Sequence, residues 1–218
     1  MQETKLRQAL VEASLELVAR GFNRGTSGNI GVRCGADLLV TPSGVPTHRL
    51  TAASMVLVAP DGQVVGAGRP SSEWRFHRDI LAARADLHAV VHVHSPFATT
   101  LACLGTEIPP FHYMIAMAGG TTIRCAPYAL FGTQELSDHA LAALRGRKAC
   151  LLANHGMIAA GHDLEDAMAV CTEVESLCEQ YWRARQLGEP RHLGDDEMQR
   201  VLEKFKTYGR QAPGQDLP

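Results

Sequence analysis

The run Ala89-Val-Val-His-Val-His94, closed by Pro96, constrains this chain more than any other stretch. Its valines read as a β-strand. Side chains alternate across a strand, so His92 and His94 leave the same face and can converge on one ion. A third candidate, His155, lies in Leu151-Leu-Ala-Asn-His-Gly156, where an apolar strand breaks at a small residue and can present a ring to the same place. Three imidazoles around an open position are the pattern of a catalytic rather than a structural zinc. His77, His88, His112, His139 and His192 read instead as ordinary core or surface residues.

Helix and strand signals alternate along the rest of the chain. Leu6, Leu10, Ala13 and Leu17 recur at helical spacing with Gly21 as a C-cap, which predicts a first helix. Residues 21–31, rich in glycine and small polar side chains, form a shaped loop. Segments 30–33 and 38–41 flank a Cys-Gly-Ala-Asp turn, and 55–59 and 63–65 flank Pro60-Asp-Gly62, so two hairpins are expected. Ser71 and Ser72 are N-cap candidates for a helix reaching residue 84. A shorter helix is expected near 97–104, helices over 135–144 and after Asp163, and strands over 149–153 and 157–160. The period of 111–120 fits helix or strand. Helices sandwiching a mixed, partly antiparallel sheet is the expected α/β architecture.

Composition excludes several classes. A length of 218 residues fits one domain, expected over 1–210 with 211–218 as a flexible tail, and 45% hydrophobic content builds a core without disulfides. Lys and Arg number 21 against 23 Asp and Glu, scattered, so no basic stripe marks a nucleic-acid partner. No apolar run is long enough for a membrane span, and the start has no secretory signal pattern, so a cytoplasmic chain is expected. Six cysteines without a C-x-x-C pair read as reduced, mostly buried thiols.

Two further features carry chemistry. Glu73 follows Pro70-Ser-Ser at a helix start, and Trp74 and Phe76 give it an apolar flank expected to raise its pKa, which makes it a candidate base. Gly25-Thr-Ser-Gly-Asn-Ile-Gly31 and Thr41-Pro-Ser-Gly44 offer backbone N–H groups and small hydroxyls. Neither is a Walker motif or a dinucleotide fingerprint. With Ser71 and Ser72 they suit a small phosphorylated ligand.

Taken together, Gly25-Thr-Ser-Gly-Asn29, Thr41-Pro-Ser-Gly44, Pro70-Ser-Ser-Glu-Trp-Arg-Phe-His77, Val91-His-Val-His94, His112-Tyr-Met-Ile115, Asn154-His-Gly156 and Lys204-Phe-Lys-Thr-Tyr-Gly209 resemble the class II aldolase/adducin-head family, most closely its fuculose-phosphate aldolase branch. The resemblance implies a three-layer α/β/α subunit with a central mixed, largely antiparallel sheet. It implies a homotetramer with active sites at subunit interfaces. One Zn2+ per subunit, with Mn2+ or Co2+ as alternatives, would sit on His92, His94 and His155. Glu73 would be a further metal-site carboxylate that leaves to act as the base. Asn29, Ser43, Gly44, Ser71, Ser72 and the backbone at Gly28 would hold the phosphate. Tyr113, as proton donor, and Tyr208 would reach a neighbouring subunit's site.

The implied reaction is reversible cleavage of a ketose 1-phosphate to dihydroxyacetone phosphate and an aldehyde. Ser43 stands where that branch usually has Thr, and Ser95-Pro-Phe97 and Ala153-Asn154 also depart from it, beside the metal. The substrate classes expected are therefore L-fuculose 1-phosphate, 5-deoxyribulose 1-phosphate and 5-methylthioribulose 1-phosphate. Sugar-phosphate epimerases, decarboxylases and dehydratases on the same fold are the alternative, and a metal-free adducin-like assembly domain is the non-enzymatic one.

Overall fold

Apolar residues alternate along the strands, and each half of the alternation meets its own set of helices. The computed structural model describes residues 3–207. In chain order the elements are α1 (Glu3–Ala19), β1 (Asn29–Cys34), β2 (Asp37–Val40), β3 (Val56–Val58), β4 (Val64–Val65), α2 (Trp74–Ala83), β5 (Ala89–Val93), α3 (Pro96–Ala102), β6 (Cys125–Ala126), α4 (Gln134–Ala143), β7 (Ala149–Leu152), β8 (Gly156–Gly161), α5 (Leu164–Leu187) and α6 (Asp195–Phe205). The strands form one sheet in the order β4-β3-β2-β1-β5-β8-β7-β6. Every pairing is antiparallel except β6 with β7.

On one face Ile30, Val91, Val93, Met157 and Ala159 pack with Leu10 and Leu17 of α1, Ala98 of α3 and Val174 of α5. On the other, Val40, Val90, Ile158 and Ala160 pack with Phe76 and Ile80 of α2 and with Leu136 and Ala140 of α4. The result is the expected three-layer α/β/α arrangement around a mixed, largely antiparallel sheet. Burying each such aliphatic or aromatic side chain contributes about 1.5–3 kcal/mol before entropy is counted.

The helix ends follow local chemistry. Gly21 at φ 75° ends α1, the Asp163 carboxylate accepts from the Asp166 N–H at the start of α5, and Thr133 does the same for α4 through Leu136. Ser71 and Ser72 do not cap α2 as expected; its N-cap is Glu73. The Ser71 N–H donates to the Thr41 carbonyl beside an isolated Pro42–Pro70 bridge, while its hydroxyl and carbonyl close a turn by accepting from the N–H groups of Glu73 and Trp74, each at 3.2 Å, so the helix starts only beyond that turn. The ambiguous stretch 111–120 contains a 3-10 helix, Tyr113–Ala118, closed by Gly119 at φ 87°. The short β6 and the helix α6 are elements the sequence reading did not assign.

Gly156 opens β8 beside the end of β5. A Cβ there would lie 2.4 Å from the Val93 carbonyl oxygen, so only glycine lets β8 close on the end of β5. Among the described residues no helix is long and apolar enough to cross a membrane.

Candidate active site

Pairing of β5 with β1 on one side and β8 on the other sets the site: Asn29 and Ile158 both lie opposite His92. His92 Nδ1 is 2.9 Å from the Met157 carbonyl oxygen. A carbonyl only accepts, so Nδ1 carries the proton and Nε2 is turned to the centre. There it lies 3.0 Å from His94 Nε2. His155 arrives from the β7–β8 turn, where Asn154 takes the left-handed conformation at φ 56° and so reverses the chain. The ligand atoms of His92, His94 and His155 all lie within 4.8 Å of one another.

Glu73 joins them. It is 6% exposed, with Oε2 3.3 Å from His92 Nε2 and Oε1 3.3 Å from His155 Nε2. Oε2 also accepts from Asn29 Nδ2 at 2.9 Å, whereas Oε1 has no hydrogen-bond partner. Burial raises the Glu73 carboxyl, but His92, His155 and the Asn29 amide outweigh it and hold the group below the usual carboxylate range. The apolar flank was expected to raise this pKa; Phe76 is in place, its ring 5.4 Å from His92, yet the carboxylate itself faces imidazoles. Burial, with repulsion from His92, pushes His94 and His155 down to about 4, so both rings offer lone pairs at neutral pH.

This donor set fits a divalent cation. Three imidazole nitrogens converge, one has its tautomer fixed from behind, and a buried carboxylate oxygen faces inward without a partner. His94 and His155 open into a cavity of about 290 Å³ that Gly28, Asn29, Ser43, Gly44, Ser71, Ser72 and Glu73 also line. Its two polar loops are side by side because Ser43 N–H donates to the Arg69 carbonyl and Ser71 N–H to that of Thr41. Gly28 and Gly44 both take positive φ. Tyr128 and Phe131, 60% and 61% exposed, form an apolar rim.

Tyr113 is half exposed on its 3-10 helix and is not part of this cavity wall. Tyr208 lies outside the described residues. Two residues that the sequence reading passed over belong to the centre's support. His77 is fully buried with Nε2 2.5 Å from Asn29 Oδ1, and burial pushes its pKa down to about 3. Its place in Pro70-Ser-Ser-Glu-Trp-Arg-Phe-His77, one helical turn beyond Glu73, was the available signal.

The second is Glu175, in the middle of α5 and 6% exposed. Its place one helical turn from both Cys171 and Cys178, inside the apolar stripe of α5, was the available signal. Its Oε2 accepts from the Ser95 hydroxyl at 2.6 Å and from the Ala98 N–H at 2.8 Å, and its Oε1 accepts from the Phe97 N–H at 2.8 Å. It thereby fixes the chain immediately after His94.

The sequence profile of the Class II Aldolase and Adducin N-terminal domain matches residues 8–182. The chain belongs to the class II aldolase and adducin N-terminal domain family. Within this family, it is 58% identical over 207 residues to a 5-methylthioribulose-1-phosphate/5-deoxyribulose-1-phosphate aldolase of Rhodospirillum rubrum, covering 95% of this chain and 94% of the relative. It is 45% identical over 210 residues to the L-fuculose phosphate aldolase of Escherichia coli K12, covering 96% and 98%. A solved L-fuculose 1-phosphate aldolase superposes with a TM-score of 0.90 at 40% identity, covering 93% of this chain and 96% of that one.

In this class II aldolase and adducin family member, Glu175→Ala leaves the Ser95 hydroxyl and two backbone N–H groups without an acceptor. Each unpaired buried donor costs roughly 1–3 kcal/mol, so unfolding free energy is expected to fall by about 3 kcal/mol or more in a urea titration. An unchanged midpoint would show that the carboxylate is not holding this segment.

Proposed function

We propose that this chain is a metal-dependent class II aldolase that reversibly cleaves a ketose 1-phosphate to dihydroxyacetone phosphate and an aldehyde. The observation that carries this reading is that Glu73 and three histidines meet at one end of a cavity whose other wall is a cradle of small residues. Zinc on His92, His94 and His155 is the proposed cofactor, with manganese or cobalt compatible with the same ligands. When bound, the cation supplies positive charge that stabilises negative charge developing on the substrate's oxygens.

The chain's own residues do the rest. Ser43, Gly44, Ser71, Ser72 and the Gly28–Asn29 backbone are proposed to hold the phosphate, using hydroxyls, main-chain N–H groups and the positive end of α2. No Lys or Arg lines the cavity among the described residues, so this anion site relies on dipoles. In cleavage Glu73 returns a proton to the carbon that is left negative when the carbon–carbon bond breaks. In synthesis it removes the same proton. Tyr113 of an adjoining subunit is proposed to protonate the aldehyde oxygen in synthesis, which suits a phenol because its ordinary pKa keeps it protonated at neutral pH.

The aldehyde proposed is small and weakly polar, as from 5-methylthioribulose 1-phosphate or 5-deoxyribulose 1-phosphate, with L-fuculose 1-phosphate the more polar alternative. The apolar Tyr128–Phe131 rim and the name of the Rhodospirillum relative support that choice. With zinc added, the protein is expected to release dihydroxyacetone phosphate from members of this panel. Intact substrate throughout, or an epimer, a dehydrated product or carbon dioxide in its place, would refute the assignment.

Two further outcomes follow from the same reading. Glu73→Gln is expected to keep its metal in elemental analysis while proton exchange on dihydroxyacetone phosphate falls by about 10²–10⁴-fold; undiminished exchange moves the base elsewhere. A homotetramer with sites completed across interfaces is proposed because Tyr113 stands outside the cavity of its own chain. Native mass spectrometry should give four chains, and a monomer at micromolar concentration would remove the shared site.

A further inference from the structure

His77 has no place in the chemistry above, yet it is a fully buried polar group beside the centre. It is 0% exposed, on the face of α2 turned to the sheet, with the Phe76 ring 4.6 Å away. Gly31 in β1 makes room for it, since a Cβ there would lie 2.8 Å from His77 Nδ1. A hydrocarbon of similar shape would fill that space without the cost of desolvating two ring nitrogens. What the imidazole adds is a hydrogen bond: Nε2 lies 2.5 Å from Asn29 Oδ1.

The direction of that bond is fixed by chemistry at the far end of the chain of contacts. The Glu73 carboxylate can only accept, so the Asn29 atom 2.9 Å from its Oε2 must be the amide nitrogen. The amide oxygen therefore faces His77, and His77 must present Nε2–H to it. Turned over, the same amide would set its oxygen against the carboxylate, two acceptors in contact, with a nitrogen against the imidazole N–H. Orientation passes from His77 to Asn29 to Glu73 over two hydrogen bonds. One amide hydrogen of Asn29 remains for a ligand oxygen in the cavity that Asn29 lines.

We infer that His77 is a positioning residue: its Nε2–H locks the Asn29 side-chain amide in the one orientation that donates to Glu73 and so fixes the carboxylate against His92 and His155. The effect on turnover rests on the aldolase reading of Glu73; the orientation of His77 and Asn29 does not.

Two measurements on the full-length zinc-loaded protein test it, and each is read without the other. In ¹⁵N-edited NMR, with the His77 signals assigned by their loss in His77→Gln, the ring is expected as the Nε2–H tautomer; a proton on Nδ1 with Nε2 bare overturns the inference whatever the enzyme does. In kinetics, His77→Phe is expected to lower proton exchange on dihydroxyacetone phosphate at saturation by about 10- to 100-fold, the usual range for groups that orient a metal site. The half-saturating concentration and zinc content should change little. His77→Gln, whose amide also donates, should recover most of the loss.

The combination His77→Phe with Asn29→Ala should be no slower than Asn29→Ala alone, because the two act through one path. Losses that multiply independently, or full exchange in His77→Phe, overturn the inference. If His77→Phe does not fold, the tautomer and the His77→Gln variant still decide it. Absence of exchange in the unmodified protein would refute the aldolase reading and leave the tautomer as the test of His77.

Discussion

Everything at the candidate centre depends on β5 being hydrogen-bonded on both sides. Its partners place Asn29 and Ile158 across from His92 and bring the Met157 carbonyl behind the imidazole. Because side chains alternate across a strand, a slip of one residue would send His92 and His94 to the face occupied by α1, α3 and α5. Valines hold the register. Val91 and Val93 are committed to one core and Val90 to the other, so hydrophobic packing on two faces fixes where two polar rings point.

The arrangement of the centre calls for one positive charge. His92 spends one nitrogen on a carbonyl and turns the other to Glu73 and His94. A bare lone pair facing a carboxylate would be repelled, so a proton or a cation belongs between them. Around that charge the support is neutral. Asn29, His77 and the main chain orient the carboxylate without an opposing formal charge of their own, and the phosphate cradle likewise uses dipoles. Positive charge near Glu73 is therefore confined to the place where the proposed chemistry requires it.

How far the sequence disclosed this depends on whether a residue acts through its own pattern or through a distant partner. The His92 and His94 pair was legible from valine alternation, and His155 from the break in an apolar strand. The hairpins and α5 followed from turn residues and the Asp163 cap. Glu73 was legible as a carboxylate at a helix start, but the direction of its pKa was not, because local sequence shows the apolar neighbours and hides the imidazoles opposite. His77 and Glu175 each sit at a helical position that marks them as inward-facing, but the partners that define their roles, Asn29 for one and the Ser95–Ala98 segment for the other, lie across the fold. The capping role given to Ser71 and Ser72 failed because Ser71, tied across to Thr41, spends its hydroxyl and carbonyl on a turn that ends at Glu73 and Trp74, before the helix begins. β6 is two residues long and paired in parallel, too short to carry a period.

The hydrogen bonds that complete the centre have a consequence for how the molecule is made. Asn29 reaches Glu73 across 44 residues, His77 reaches back to Asn29 across 48, His92 reaches Met157 across 65, and Ser95 reaches Glu175 across 80. Closing such loops costs entropy before any of these contacts forms, so the centre depends on the same long-range closures as the sheet that carries it. A chain emerging from the ribosome carries His92, in β5, and His94, just beyond its end, long before it carries the helix that secures the turn after them. Until α5 is synthesised and docked, the proposed metal ligands lack the contacts that fix the turn after His94.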